Sequence, residues 1–253
     1  MLRTHCYWQP IYERNIMQLH ELGRKNQKIW ICDDVKPYFQ RNWFDIRGEG
    51  GSRTWSKTHG GRQAVHRFTV NNSQFVLRHY FRGGMPAHLT KDRFLFRGWH
   101  VTRPYKELKL LLEMSQLGLP VPFPAAARCV VDKFSYSADI IMVEIPDTEA
   151  LATILGKREL APEEWRAIGK TILRFHRLGF QHVDLNANNI LLDRDGNVHL
   201  IDFDRCMRRQ YAKSWALAGL ARLQRSLNKL QRANHDLFFQ QSDFQNLSDA
   251  YHE

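Results

Sequence analysis

The sequence predicts an α+β chain of two lobes: an antiparallel sheet with one helix, then a shortened, mostly helical lobe. Three observations carry this. Residues 64–70 alternate at period two, Asn71-Asn72-Ser73 is a turn and Gln74 to Tyr80 reads as a second strand, which together is a hairpin pattern. Helical periodicity is confined to 104–117 and to the stretch beyond 148. A polar motif at 182–189 and a second at 201–204 flank another hairpin.

Residues 1–40 form a segment of uncertain structure, apart from a polar turn at Arg24-Lys25-Asn26-Gln27-Lys28 before a short strand, Ile29-Trp30-Ile31. Residues 41–146 make up the first lobe. In it, Leu108, Leu111, Leu112 and Leu117 predict a helix over 104–117, which Gly118 ends. Pro120, Pro122 and Pro124 hold the next segment extended. Asp139 to Ile145 reads as a strand, and Pro146-Asp147 as the crossing into the second lobe, 147–253. That lobe begins with helices over 148–156 and 162–178. Pro162, Glu163 and Glu164 suit a helix start, and Gly179 a helix end. Ile190-Leu191-Leu192 and Val198-His199-Leu200-Ile201 make a hairpin around Asp193-Arg194-Asp195-Gly196-Asn197. Residues 212–232 form a last strong helix.

The 253 residues carry 37 Lys and Arg against 26 Asp and Glu, a net charge of +11, which favours an anionic partner. Cys6, Cys32, Cys129 and Cys206 show no C-x-x-C spacing, which argues against a zinc site or a disulfide framework and suits a reducing compartment. The first fifteen residues have no secretory apolar core. No apolar run is long enough to span a bilayer, so any membrane contact is expected to be peripheral.

His182-Val183-Asp184-Leu185-Asn186-Ala187-Asn188-Asn189 holds the pattern H-x-D-L-x-x-x-N, and Asp202-Phe203 follows thirteen residues after Asn189. The set resembles the catalytic loop and metal-binding pair of protein kinases, which makes the expected fold a bilobal protein-kinase-like one. Asp184 is then the catalytic base that orients and deprotonates an acceptor hydroxyl. Asn189 and Asp202 are the Mg²⁺ ligands on ATP. His182 is expected to be a structural anchor, since the site already has a base.

Phe75-Val76-Leu77-Arg78 sits where kinases place V-A-I-K, so Arg78 takes the lysine's place toward the ATP phosphates, with Glu107 as its helix partner. Gly48-Glu49-Gly50-Gly51-Ser52 and Gly60-Gly61-Arg62-Gln63 compete for the phosphate loop. Gly60, Gly61 and Arg62 are preferred because they lie directly before the strands that lead to Arg78. Glu144 and Ile145, just before the crossing, complete the nucleotide-binding set. Ala161-Pro162-Glu163 resembles the A-P-E signature but precedes the catalytic loop, so it is read as a helix start. The segment after Asp202 is too short for an activation segment and a full helical lobe, which points away from a protein acceptor.

Further segments narrow the resemblance. Leu77 to Gly84, Lys91-Asp92-Arg93-Phe94, Gly118-Leu119-Pro120-Val121-Pro122, Asp184 to Leu192 and Asp202-Phe203-Asp204 are similar to the 3-deoxy-D-manno-octulosonic acid (Kdo) kinases of lipopolysaccharide synthesis. So is Trp215 with Leu220, Arg222, Leu223 and Arg225-Ser226-Leu227. The likeness runs from about Gly60 to the C-terminus. It implies ATP and Mg²⁺ as cofactors and phosphorylation of the 4-hydroxyl of Kdo on Kdo-lipid IVA. It also implies peripheral placement at the cytoplasmic face of the bacterial inner membrane, and no nucleic-acid partner. It leaves the oligomeric state open. Two departures from protein kinases stand out. The catalytic-loop lysine is Asn186, and Arg205 or another basic residue is expected to supply its charge. The glycine of D-F-G is Asp204, a departure shared with the Kdo kinases.

Two segments are candidates for membrane contact: helix 212–232, with leucines and basic residues interleaved, and the aromatic and basic stretch 81–99. For the helix, leucines in the core and arginines in water is the preferred reading. A related heptose or small-molecule kinase remains an alternative. So does a non-catalytic basic module binding RNA or membrane, although such a module has no need of Asp184, Asn189 and Asp202 together.

Overall fold

The computed structural model describes residues 18–45, 56–60, 63–81 and 92–253, with side chains undescribed at 56–60 and 63–64. The chain divides into two compact units. The first joins Met1–Gln116 to Phe123–Glu144; the second joins Leu117–Pro122 to Ile145–Glu253.

The first unit holds β1 (Leu19–Arg24), β2 (Gln27–Cys32), β3 (Ser56–Gly60), β4 (Gln63–Val70), β5 (Ser73–His79) and β6 (Phe94–Leu95). After these come α1 (Arg103–Gln116), β7 (Pro124–Asp132) and β8 (Ser135–Val143). The eight strands form one sheet in the order β1-β2-β7-β8-β5-β4-β3, with β6 on β8. Every pairing is antiparallel. The β4–β5 hairpin is the one expected from period-two alternation. Val70 pairs with Ser73, and Asn71 and Asn72 both have positive φ, 48° and 63°. That is the primed two-residue turn whose twist matches the strands, and asparagine tolerates it better than most residues. Trp43, from the 3-10 turn Arg41–Phe44, packs on Phe75 (4.9 Å) and Phe68 (5.6 Å).

α1 begins one residue before the expected 104 and ends before Leu117, which is exposed. Its Leu108 and Leu111 are buried, and it packs across β7 and β8. β7 was not expected as a strand. Its run Ala125-Ala126-Ala127 has poor strand propensity but is fully buried, and small side chains there let α1 approach the sheet. A buried polar cluster ties β5, β7 and β8 together: Asp139 accepts from Arg128 Nε (2.9 Å) and meets His79 Nδ1 at 2.6 Å.

The second unit holds β9 (Glu149–Ala150), α2 (Leu151–Ile154), α3 (Pro162–Arg177), β10 (Phe180–Gln181), β11 (Ile190–Leu192) and β12 (Val198–Leu200). β13 (Met207–Arg208), α4 (Lys213–Ala233) and α5 (Gln241–His252) complete it. The helix expected over 148–156 shrinks to α2, because Glu149 and Ala150 pair with β11 instead. α3 starts as expected: the backbone N–H of Ala161 donates to the Glu164 carboxylate at 2.8 Å, and Pro162 opens the helix. Gly179 (φ 84°) ends it, where a Cβ would lie 2.3 Å from the Arg209 carbonyl oxygen.

α4 is not the last helix; α5 follows and packs along α3. The contact is closest at Gly169, where a Cβ would sit 2.2 Å from the Leu247 carbonyl oxygen. Trp165, Ile168, Ile172 and Phe175 of α3 and Phe244, Leu247 and Tyr251 of α5 are all buried. α4 has the plainer of its two expected forms. Leu220, Leu223 and Leu227 are buried, while Arg222, Arg225, Lys229 and Arg232 are exposed. Among the described residues, no helix is long and apolar enough to cross a membrane.

Candidate active site

The second unit builds its polar loop from backbone outward. Leu185 and Ala187 are fully buried and anchor the loop between Asp184 and Asn189. Ala187 N–H donates to Ser226 Oγ on α4 (3.3 Å), and its carbonyl accepts from Ala152 N–H (3.1 Å). The Asp184 carbonyl oxygen accepts from the side-chain amides of Asn186 and Asn189, each at 2.9 Å. Asn186 Oδ1 in turn accepts from Asn188 N–H at 2.9 Å. The asparagines therefore act as loop braces, satisfying backbone groups that no strand or helix serves. With its Nδ2 committed to Asp184, Asn189 has its Oδ1 to offer a ligand.

The hairpin end is pinned to this loop. Ile201 N–H donates to the Asn189 carbonyl (3.0 Å), and the Ile201 carbonyl accepts from His182 Nε2 (2.9 Å). Asp202, the next residue, has φ 63°. A non-glycine residue in that region costs about 1–3 kcal/mol, and it persists because Ile201 on one side and buried Phe203 on the other fix the chain. Phe203 stacks on Phe175 (5.8 Å) and lies tilted against His182 (4.9 Å).

His182 is 4% exposed. Burial pushes its imidazole below the usual histidine range, against the opposing pull of the Ile201 carbonyl and the charges of Asp202 and Asp184. A neutral ring that donates to Ile201 from Nε2 is an anchor, as its place in the sequence motif led us to expect. Asp184 itself presents a half-exposed carboxylate. The facing charge is Arg222 of α4, whose Nη1 lies 3.8 Å from Asp184 Oδ1. Arg205, the expected substitute for the missing lysine, is 74% exposed and lies 3.8 Å from Asp204.

The first unit carries the other predicted residues. Arg78 Nη2 donates to both oxygens of Glu107 (2.6 and 2.5 Å), and the two side chains are 7% and 1% exposed. The Tyr80 hydroxyl donates to Glu107 Oε2 at 2.6 Å. The pairing of Arg78 with Glu107 is the one that the kinase resemblance implies. Glu144 N–H donates to the Gln74 carbonyl (2.8 Å), and Glu144 Oε1 accepts from Arg67 Nε at 2.5 Å. The Ile145 carbonyl accepts from the Thr148 hydroxyl at 3.0 Å. The first unit ends in sequence at Glu144 and the second resumes at Ile145. Gly60 closes β3 opposite Gln63, while Gly61 and Arg62 lie outside the described residues, as does the competing stretch Gly48 to Ser52. Of the aromatic stretch 81–99, residues 82–91 also lie outside them. Phe94 and Phe96 pack on Tyr136 at 5.4 and 6.4 Å.

Among the described residues, no three His, Cys, Asp or Glu side chains group as a metal site. Mg²⁺ takes one or two protein oxygens and completes its octahedron with phosphate and water. Asn189 Oδ1 and the Asp202 carboxylate have that hard-oxygen chemistry, so the residues present fit this ion.

A catalytic-loop aspartate braced by asparagines, followed by an aspartate at the end of a hairpin, has the residue types of a kinase-type phosphotransferase. The model of the lipopolysaccharide kinase (Kdo/WaaP) family matches residues 53–251. The chain belongs to that family, and a kinase family implies ATP as the phosphoryl donor. Several relatives carry the name 3-deoxy-D-manno-octulosonic acid kinase. One from Vibrio parahaemolyticus is 34% identical over 89% of this chain and 94% of its own length. One from Xylella fastidiosa (strain 9a5c) is 41% identical over 79% of this chain and 80% of its own. One from Photobacterium profundum is 33% identical over 92% and 98%.

Proposed function

We propose that this chain transfers the γ-phosphoryl group of ATP, with Mg²⁺, to the 4-hydroxyl of the Kdo sugar of Kdo-lipid IVA. We further propose that it does so as a peripheral protein on the cytoplasmic face of the inner membrane. The observation that carries the reading is the braced loop of Asp184 and Asn189 in a chain whose relatives are named Kdo kinases.

Asp184 accepts the proton of the acceptor hydroxyl as its oxygen bonds to the γ-phosphorus and the bond to the β–γ bridging oxygen breaks. Asn186 and Asn189 brace its backbone carbonyl, so the residue that carries the carboxylate has a fixed place in the loop. Asn189 and Asp202 would hold Mg²⁺, which would supply neutralisation of phosphate charge. Arg78, kept in orientation by Glu107 and Tyr80, contributes a permanent positive charge toward the α- and β-phosphates. The +11 net charge and the exposed basic residues of α4 suit a glycolipid bearing carboxylates and phosphates and the anionic membrane around it.

The test is transfer of labelled phosphate from ATP to purified Kdo-lipid IVA, run beside Asp184→Ala, with phosphorus–proton correlation on the product. Label on the 4-position that disappears in the variant supports the reading. Transfer only to another sugar acceptor, or label on another hydroxyl, sinks it.

A further inference from the structure

The loop lacks a cation where protein kinases carry one. The residue two places after Asp184 is Asn186, and both ends of its amide are used inside the loop, on the Asp184 carbonyl and the Asn188 N–H. A transferring phosphoryl group needs positive charge beside the base, since charge stabilisation is most of the catalysis in this chemistry.

We propose that Arg222 is that cation: it reaches from α4 to hold the transferring phosphoryl group and to orient Asp184. This rests on the kinase reading above.

α4 is built to deliver it. Gly219, Arg222 and Ser226 stand at i, i+3 and i+7, on one face of the helix. Gly219 faces buried His176, where a Cβ would stand in van der Waals contact with the ring at 3.4 Å. Ser226 accepts from Ala187 N–H of the catalytic loop itself, at 3.3 Å. Between these two contacts, Arg222 has its Nη1 3.8 Å from Asp184 Oδ1. Behind it, Leu220, Leu223 and Leu227 are buried, so the backbone that carries the guanidinium is fixed.

The rival cations are worse placed. Arg205 stands beside Asp204 and is mostly in solvent. Arg208 and Arg209 are bonded to the Leu178 carbonyl and Gln181. The Arg222 head is half-exposed, which leaves it open to a phosphate, and a guanidinium fork matches phosphate oxygens in a way that one ammonium does not.

The experiment compares wild type, Arg222→Ala, Arg222→Lys and Arg205→Ala in phosphate transfer to Kdo-lipid IVA, with urea midpoints for each. Arg222→Ala is expected to lower kcat about 100-fold, the size of effect seen when one donor to developing charge is removed, and to raise KM for ATP by up to about tenfold. Added guanidinium ion restores part of the rate, and Arg222→Lys keeps a larger share of it. Arg205→Ala stays near wild type.

A second readout needs no turnover. Wild type is expected to bind a non-hydrolysable ATP analogue about tenfold more tightly than ADP, and Arg222→Ala to lose that preference in calorimetry, since a charged contact to the γ-phosphate is gone. Arg222→Ala within threefold of wild-type kcat overturns the proposal while leaving the kinase reading intact. So does an Arg222→Lys variant as slow as alanine and unresponsive to guanidinium. If wild type transfers nothing to Kdo-lipid, the acceptor reading fails and the nucleotide preference alone decides the fate of Arg222: preference lost in the alanine variant upholds it, preference kept overturns it.

Discussion

Each unit of this protein holds an arginine against a carboxylate, and the two pairs are built in opposite ways. Arg78 and Glu107 are buried, share two hydrogen bonds and have a tyrosine hydroxyl on the same carboxylate. Arg222 and Asp184 are half in water and 3.8 Å apart. A buried pair has already lost its water, so its geometry is rigid and each partner depends on the other. An exposed pair contributes little to stability and stays open to exchange its partner for a substrate. The first pair is matched to holding a charge still; the second is matched to doing chemistry.

The largest expected effect comes from breaking the buried pair. Glu107→Ala strands the Arg78 charge and the Tyr80 hydroxyl, and we expect a loss of about 3–5 kcal/mol in urea unfolding. Arg78→Met combined with Glu107→Leu should recover part of it, because no charge is then left unpaired. Equal losses in the single and double variants would mean that the pair is not the source.

In the second unit stability rests on apolar helix packing, and His176 tests this through pH. Burial lowers the His176 pKa to about 4. The folded protein holds the ring neutral, so the unfolded chain gains a proton first as pH falls. Stability is therefore present above the unfolded value near 6.5 and lost between there and about 4, by up to about 3 kcal/mol. His176→Gln should flatten that acid limb in pH-dependent denaturation; an unchanged slope contradicts the assignment.

Gly169→Ala forces a methyl onto the Leu247 carbonyl and is expected to cost about 1–3 kcal/mol, read as a lower urea midpoint. Smallest of all, Arg222→Ala should move that midpoint by under about 1 kcal/mol, since its pair is exposed. A loss as large as that of Glu107→Ala would erase the contrast between the two pairs.

The β4–β5 hairpin was readable for a local reason, since alternation in 64–70 and an Asn-Asn turn set the strand faces. The Arg78–Glu107 pair was readable through the kinase resemblance, and the structure shows Glu107 buried on α1. The polar loop was readable because its spacing is itself the signal. β7 was hidden because its core is alanine, selected by the closeness of α1 rather than by strand propensity. α5 was hidden by its polar composition, although Phe244, Leu247 and Tyr251 recur at helical spacing. Arg222 entered only as one residue of the family likeness and one basic residue among several on α4, with no role at the site. Its nearness to Asp184 depends on Gly219 and Ser226 meeting groups more than thirty residues away, which no local pattern records.

Stability and turnover measured together on Asp184→Asn test the central claim most directly. The account predicts a urea midpoint within about 1 kcal/mol of wild type, since Asp184 is exposed and its carbonyl keeps both asparagine bonds. It predicts phosphate transfer to Kdo-lipid IVA reduced by about 100-fold or more, from loss of the base. An Asp184→Asn protein that still transfers phosphate near the wild-type rate would contradict it.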